Sequence, residues 1–187
     1  MNKNLNDYLK IYSNFLDPTI CKQSLKELKA ANFTTHSYYD VNADLHKSFS
    51  TDLSVSMDIL STNDYLMQRT WDAVHQYIIQ DLKLEWFSSW AGYMQLRYNK
   101  YSPGTEMRLH CDHIHSLFDG QRKGVPILTI LGILNDNYKG GELVMFEDEI
   151  LETKAGDVLV FPSNFLYPHK VNPVTKGTRY SFVSWTW

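Results

Sequence analysis

His110, Asp112 and His169 offer two imidazoles and one carboxylate. That donor set suits Fe(II): it fills one face of the ion and leaves the opposite positions open for a co-substrate and dioxygen. Arg179 adds a planar fork of N–H donors, the natural partner of a carboxylate. Residues i and i+2 of a strand share a face. An extended segment over 109–112 therefore brings His110 and Asp112 to one ion and turns Cys111, whose thiolate would favour softer metals, away from it. The third ligand must come from a distant strand. His169 follows the apolar run 158–161 and a loop ending in Tyr167-Pro168, which biases the chain toward extended backbone. His-x-Asp spacing is a weak signal by itself, and what surrounds it gives it weight.

The strongest support is the run Arg179-Tyr180-Ser181-Phe182-Val183-Ser184-Trp185. Period 2 puts Arg179, Ser181, Val183 and Trp185 on one face. A buried arginine is costly unless it is paired. A bound dicarboxylic acid would pair it, with Ser181 as an added hydroxyl donor. The opposite reading, with Tyr180 and Phe182 facing the core and Arg179 in solvent, stays open at this point.

These residues need a scaffold, and the second half of the chain reads as one. After Trp86, β-rich runs at 92–99, 127–134, 142–146, 157–161 and 179–187 alternate with turns such as Lys139-Gly140-Gly141 and Ala155-Gly156-Asp157. Before it, Asp17-Pro18 reads as an N-cap and first helical residue, which predicts a helix over 19–31. Apolar residues at helical spacing predict a second over about 63–82. The polar stretch 33–60 suits edge strands or a flap. The expected fold class is α+β, mainly β: a double-stranded β-helix, or jelly roll, with N-terminal helices packed outside it. The expected organisation is one domain over 1–187, with residues 1–85 as helical support and flap and 86–187 as the core.

Composition narrows the function. The net charge of -3 gives no basic field for nucleic acid. The start MNKNLNDYLK lacks the apolar stretch of a signal peptide, and no run approaches a membrane span. Two cysteines are too few for a disulfide framework. A cytoplasmic protein is expected, with neither nucleic acid nor membrane as partner.

His110-x-Asp112, His169 and Arg179 resemble the signature of Fe(II)/2-oxoglutarate-dependent dioxygenases, most nearly the prolyl 4-hydroxylase-like branch with its hypoxia-sensing type. The resemblance covers roughly residues 92–187. Leu96-Arg97-Tyr98, Thr129 onward to Asn135, Gly140-Gly141-Glu142-Leu143 and the segment around Ala155-Gly156-Asp157 agree with it. It implies Fe(II) held by His110, Asp112 and His169, with Arg179 on the distal carboxylate of 2-oxoglutarate. It further implies that Tyr98 hydrogen-bonds the co-substrate and that Ser181 accompanies Arg179. It also implies O2 as oxidant, succinate and CO2 as co-products, and ascorbate as a helper. Collagen-type enzymes usually carry lysine where Arg179 stands, and the tyrosine that the hypoxia-sensing type has near Ile133 is absent. Asp112 argues against halogenating relatives. Trp185, where nucleic-acid dealkylases carry a second arginine, argues against that branch.

The implied substrate is a prolyl residue in a protein or peptide. A free amino acid or other small molecule is the alternative. A non-catalytic cupin-like metal protein and a zinc hydrolase are further ones, and both leave Arg179 unexplained. The 113–124 stretch is either a lid over the substrate or a solvated excursion, and neither His113 nor His115 is expected to bind the metal. Tyr38, Tyr39, Trp86 and Trp90 form either an aromatic groove for proline or, for the tryptophans, part of the core.

Overall fold

Strict alternation in the long strands makes one sheet serve two cores. In the computed structural model, which describes residues 4–40, 44–87, 92–112 and 125–187, the large sheet has seven antiparallel strands. From edge to edge these are Lys10–Tyr12, Val158–Pro162, Leu128–Ile133, Arg179–Thr186, Arg97–Tyr101, Ser54–Ser56 and Thr34–Thr35. A second sheet holds Glu149–Leu151, Leu143–Met145, His169–Val171 and Met107–His110. The two form the double-stranded β-helix expected from the sequence.

Even-numbered residues of the central strands, among them Tyr98, Ile130, Val158, Val160 and Phe182, face the helices. Odd-numbered ones, among them Leu131, Leu159, Phe161, Val183 and Trp185, face the second sheet. A strand covered on both faces loses the apolar-polar alternation of a half-exposed one. All six residues of Leu128–Ile133 are accordingly buried. Gly132 sits opposite Phe182, and a Cβ there would lie 2.2 Å from the Phe182 ring. The missing side chain is what lets that ring lie flat on its neighbour.

The first helix, Pro18–Leu28, starts where Asp17 accepts a bond from the Thr19 N–H, 2.6 Å, and ends three residues before the expected limit. The second, Asn63–His75, buries Leu66, Thr70, Ala73 and Val74, one stripe at helical spacing, and packs on the large sheet. It continues as a π-helical stretch, Gln76–Asp81. No helix among the described residues is long and apolar enough to cross a membrane. The 33–60 region supplies the edge strand Thr34–Thr35, its inner neighbour Ser54–Ser56 and a small hairpin of Tyr38–Asp40 with Leu45–Lys47. The N-terminal strand Lys10–Tyr12 closes the other edge and is not among the elements expected from the sequence. The expectations for 113–124, including His113 and His115, and for the Tyr39 and Trp90 side chains fall outside the described residues. Trp86 is 79% exposed, so its expected place in the core is corrected: it follows the π-helical stretch at the surface and touches Phe87 edge-on.

Candidate metal centre and co-substrate pocket

Two cross-strand pairs, one from each sheet, build the centre. In the second sheet His169 stands opposite His110, their rings 4.3 Å apart. In the large sheet Trp185 stands opposite Thr129. Asp112 lies between the pairs. The strand Met107–His110 ends before Asp112, so the carboxylate is presented from the bend just past it, not from the extended segment expected. One ligand atom from each of His110, Asp112 and His169 lies within 4.8 Å of the others. Cys111 is a free thiol and takes no part in this group.

Each ligand is oriented by a hydrogen bond behind it. His110 Nδ1 donates to the Arg108 carbonyl, 2.8 Å, and His169 Nδ1 donates to the Tyr167 carbonyl, 3.1 Å. A carbonyl only accepts, so the proton is on Nδ1 and the Nε2 lone pair is free for a metal. Asp112 Oδ2 accepts from Thr129 Oγ1, 2.8 Å, and from Trp185 Nε1, 2.9 Å. Thr129 is itself bonded to Ser163, 2.9 Å. Burial opposes ionisation of Asp112, but His169, His110 and the Trp185 N–H outweigh it and hold the carboxyl well below the usual carboxylate range. Burial first, then His110, brings His169 down to about 4, so it is a neutral ligand at neutral pH. Two imidazole donors and one carboxylate fit Fe(II).

The triad opens onto a pocket between the two sheets. Leu131, Leu143, Phe161, Val171 and Val183 give it apolar walls. Arg179 lies in it, fully buried, opposite Tyr101 in the sheet and with its guanidinium 5.0 Å from that ring. Its Nη1 donates to Ser181 Oγ, 3.0 Å, whereas Nε and Nη2 are buried without a partner. Such a charge is costly to leave unpaired. The unsatisfied edge is the one a carboxylate bridges with two parallel bonds, so the residues present fit 2-oxoglutarate as well as the metal.

His110, Asp112, His169 and Arg179 are thus brought together. Ser181 is drawn in only behind Arg179, as the acceptor that fixes the guanidinium, and does not line the pocket. Tyr98 is not brought in. It is fully buried in the helix-side core, with its hydroxyl unpaired there, so its expected contact with the co-substrate is corrected. The reason is parity. Arg179 pairs with Tyr101, Ser181 with Asn99 and Val183 with Arg97, so the odd residues of Arg97–Tyr101 face the site. Applying to this strand the alternation that placed Arg179 would have found Arg97, Asn99 and Tyr101. Thr129 lies in a segment that carries the resemblance, but nothing there singles out its hydroxyl. Two residues before His110, Arg108 pairs with Asp52, 2.9 Å, and lies 3.6 Å from the centre of the Phe49 ring, which stacks on Tyr38.

Comparison with known proteins agrees with this geometry. Residues 96–187 match the family model of the 2OG-Fe(II) oxygenase superfamily. A PKHD-type hydroxylase of Idiomarina loihiensis is 40% identical over 91 residues, covering 46% of this chain and 39% of the relative. One from Delftia acidovorans is 36% identical over 97 residues, 48% of this chain and 42% of the relative. The chain thus spans about two fifths of the length of these curated relatives. A prolyl hydroxylase of Trichoplax adhaerens, solved with a hypoxia inducible factor oxygen degradation domain peptide fragment, superposes with a TM-score of 0.70. It is 20% identical, over 98% of this chain and 85% of that one. A prolyl-4-hydroxylase of Pseudomonas putida gives 0.65 at 20% identity, over 96% and 91%. The 2OG-Fe(II) oxygenase superfamily is thus the match of residues 96–187, and the fold of the chain is the prolyl 4-hydroxylase-like form.

Proposed function

We propose that this chain is an Fe(II)- and 2-oxoglutarate-dependent dioxygenase that hydroxylates a prolyl residue in a protein or peptide, with residues 1–187 acting as one catalytic domain. The observation that carries this reading is the buried, unpaired edge of Arg179 in the same pocket as the His110, Asp112 and His169 triad. The prolyl substrate is supported by the structural neighbours, a prolyl-4-hydroxylase of Pseudomonas putida and a prolyl hydroxylase of Trichoplax adhaerens solved with a peptide. We also place the chain in the cytoplasm, where its two free thiols, Cys21 and Cys111, would stay reduced.

His110, Asp112 and His169 would hold the iron, and Arg179 would take the distal carboxylate of 2-oxoglutarate. Together the metal and co-substrate supply activation of O2 for hydroxylation of a C–H bond, with succinate and CO2 as co-products. The protein's own contribution is orientation and exclusion. The carbonyls of Arg108 and Tyr167 lock both imidazole tautomers. Thr129 and Trp185 hold Asp112 ionised and aimed. Ser181 fixes the Arg179 fork at the closed end of the sheet, and the apolar walls keep bulk water off the centre. Ascorbate would act only to restore oxidised iron.

The test is succinate formation from 2-oxoglutarate by protein supplied with Fe(II), with and without proline-containing peptides, and mass analysis of the peptides for one added oxygen. Succinate that disappears in Asp112→Ala, with peptide oxidation in the wild type, is the expected result. No succinate from well-folded, iron-loaded wild type would sink the oxygenase reading and favour a metal protein without turnover. Succinate stimulated by free amino acids and not by peptides would keep the chemistry and replace the substrate. A specific residue favours that second reading.

A further inference from the structure

Arg97 stands at the opposite end of the pocket from Arg179. Their strand partners, Val183 and Tyr101 respectively, set them four strand positions apart, about 13 Å along the sheet. The Arg97 guanidinium lies 4.9 Å from the centre of the Trp185 ring, whose N–H is bonded to Asp112. Its Nε is buried with no hydrogen-bond partner, and among the described residues no carboxylate forms an ion pair with it. Between the two arginines, Asn99 is 4% exposed and its Oδ1 is also unpartnered. Of the charged groups around Arg97, the Asp112 carboxylate attracts it but forms no ion pair with it and belongs to the metal triad. Arg108 is committed to Asp52. His36 is brought down to about 4 by burial, then by Arg97 and His110, and so carries no charge at neutral pH.

Charge balance sharpens the point. A divalent iron, the Asp112 carboxylate, the Arg179 cation and the 2-oxoglutarate dianion cancel. Arg97, which cannot shed its proton, is left over. The Trp185 face offsets part of that cost, but a part-buried guanidinium with an unmet donor still calls for an anion. A five-carbon diacid anchored on Arg179 spans only about half of the backbone separation between the two positions, at roughly 1.5 Å per bond. The second anion has to arrive with the molecule being oxidised.

We propose that Arg97 is a specificity-determining residue that pairs with a carboxylate of the primary substrate. The substrate is then a free amino or imino acid, or a peptide engaged through its C-terminus, and not a residue flanked on both sides by neutral peptide. This rests on the oxygenase reading above and narrows its substrate. Asn99 is placed to receive an N–H of the same molecule.

The experiment uses the full chain loaded with Mn(II) in place of iron, with and without 2-oxoglutarate, so that binding is read without turnover. Calorimetric titration compares L-proline with L-prolinamide, and acetyl-glycyl-proline with its C-terminal amide. In the wild type the acid of at least one pair should bind at least about tenfold more tightly than its amide. Which pair responds separates a free acid from a peptide terminus. Arg97→Met should reduce the preference to within about twofold, Arg97→Lys should restore part of it, and the Kd for 2-oxoglutarate should move less than about twofold in both. Circular dichroism on both variants checks folding. Equal binding of acid and amide, or binding of neither in both pairs, overturns the inference. A large loss of 2-oxoglutarate affinity in Arg97→Met also overturns it, because Arg97 would then hold the co-substrate. Wild type that binds no 2-oxoglutarate sinks the oxygenase reading instead, and the acid-amide comparison without 2-oxoglutarate still reads Arg97 by itself.

Discussion

The two faces of the large sheet are built from the same strands and answer to different demands. On the helix side, Tyr98, Tyr180 and Phe182 join the apolar core that the helices seal. On the other side the same strands present Arg97, Asn99, Tyr101, Thr129 and Arg179 to a pocket. One face is held by close packing, and it tolerates little change of volume. The other keeps donors and charges unpaired, which weakens the free protein so that ligands can supply what is missing. A single residue of register shift would exchange the two. Stability and chemistry are therefore separable by parity along each strand.

The sharpest way to break this division is Phe182→Ala. It removes a fully buried ring that covers Gly132, and should cost about 3–5 kcal/mol in urea unfolding while any surviving folded protein keeps its 2-oxoglutarate affinity. Arg179→Met, three residues away on the other face, should do the reverse. Its affinity for 2-oxoglutarate should fall by about 2 kcal/mol or more, roughly 30-fold, measured by calorimetry. Its unfolding free energy should stay level or rise, because an unpaired buried charge has gone. Thr129→Val tests the donors behind the metal: iron affinity should drop about 10- to 100-fold in a chelator competition, with little change in the 2-oxoglutarate Kd. The smallest effect is the most discriminating. Tyr98→Phe removes a buried hydroxyl that has no partner, so stability should change by less than about 0.5 kcal/mol and 2-oxoglutarate affinity not at all. A clear loss of affinity there would put Tyr98 back in the site.

Much of this was legible in the sequence, for reasons that can be named. Period 2 in the last strand put Arg179 and Trp185 on one face, and Gly-rich turns marked the strand ends. His169 was recognisable from the apolar run before it. What escaped was information held between strands. The place of Tyr101 depends on its pairing with Arg179, and that of Thr129 on its pairing with Trp185; neither pairing is written in either segment alone. The N-terminal strand was hidden because Lys10–Tyr12 is only three residues long, too short to show a period of its own. Tyr98 was misplaced because a motif-level match fixes a neighbourhood to within a few residues, whereas facing depends on odd or even.

Trp185 touches both halves of the pocket at once. Its indole N–H is bonded to the carboxylate that would hold the metal, and its ring faces Arg97. Binding at either place alters the electric field on one chromophore, from the edge in one case and from the face in the other. With Trp71, Trp86, Trp90 and Trp187 replaced by phenylalanine, the emission of this one residue would serve as a built-in optical gauge. It would record the order in which metal, co-substrate and substrate arrive, in real time and without a label.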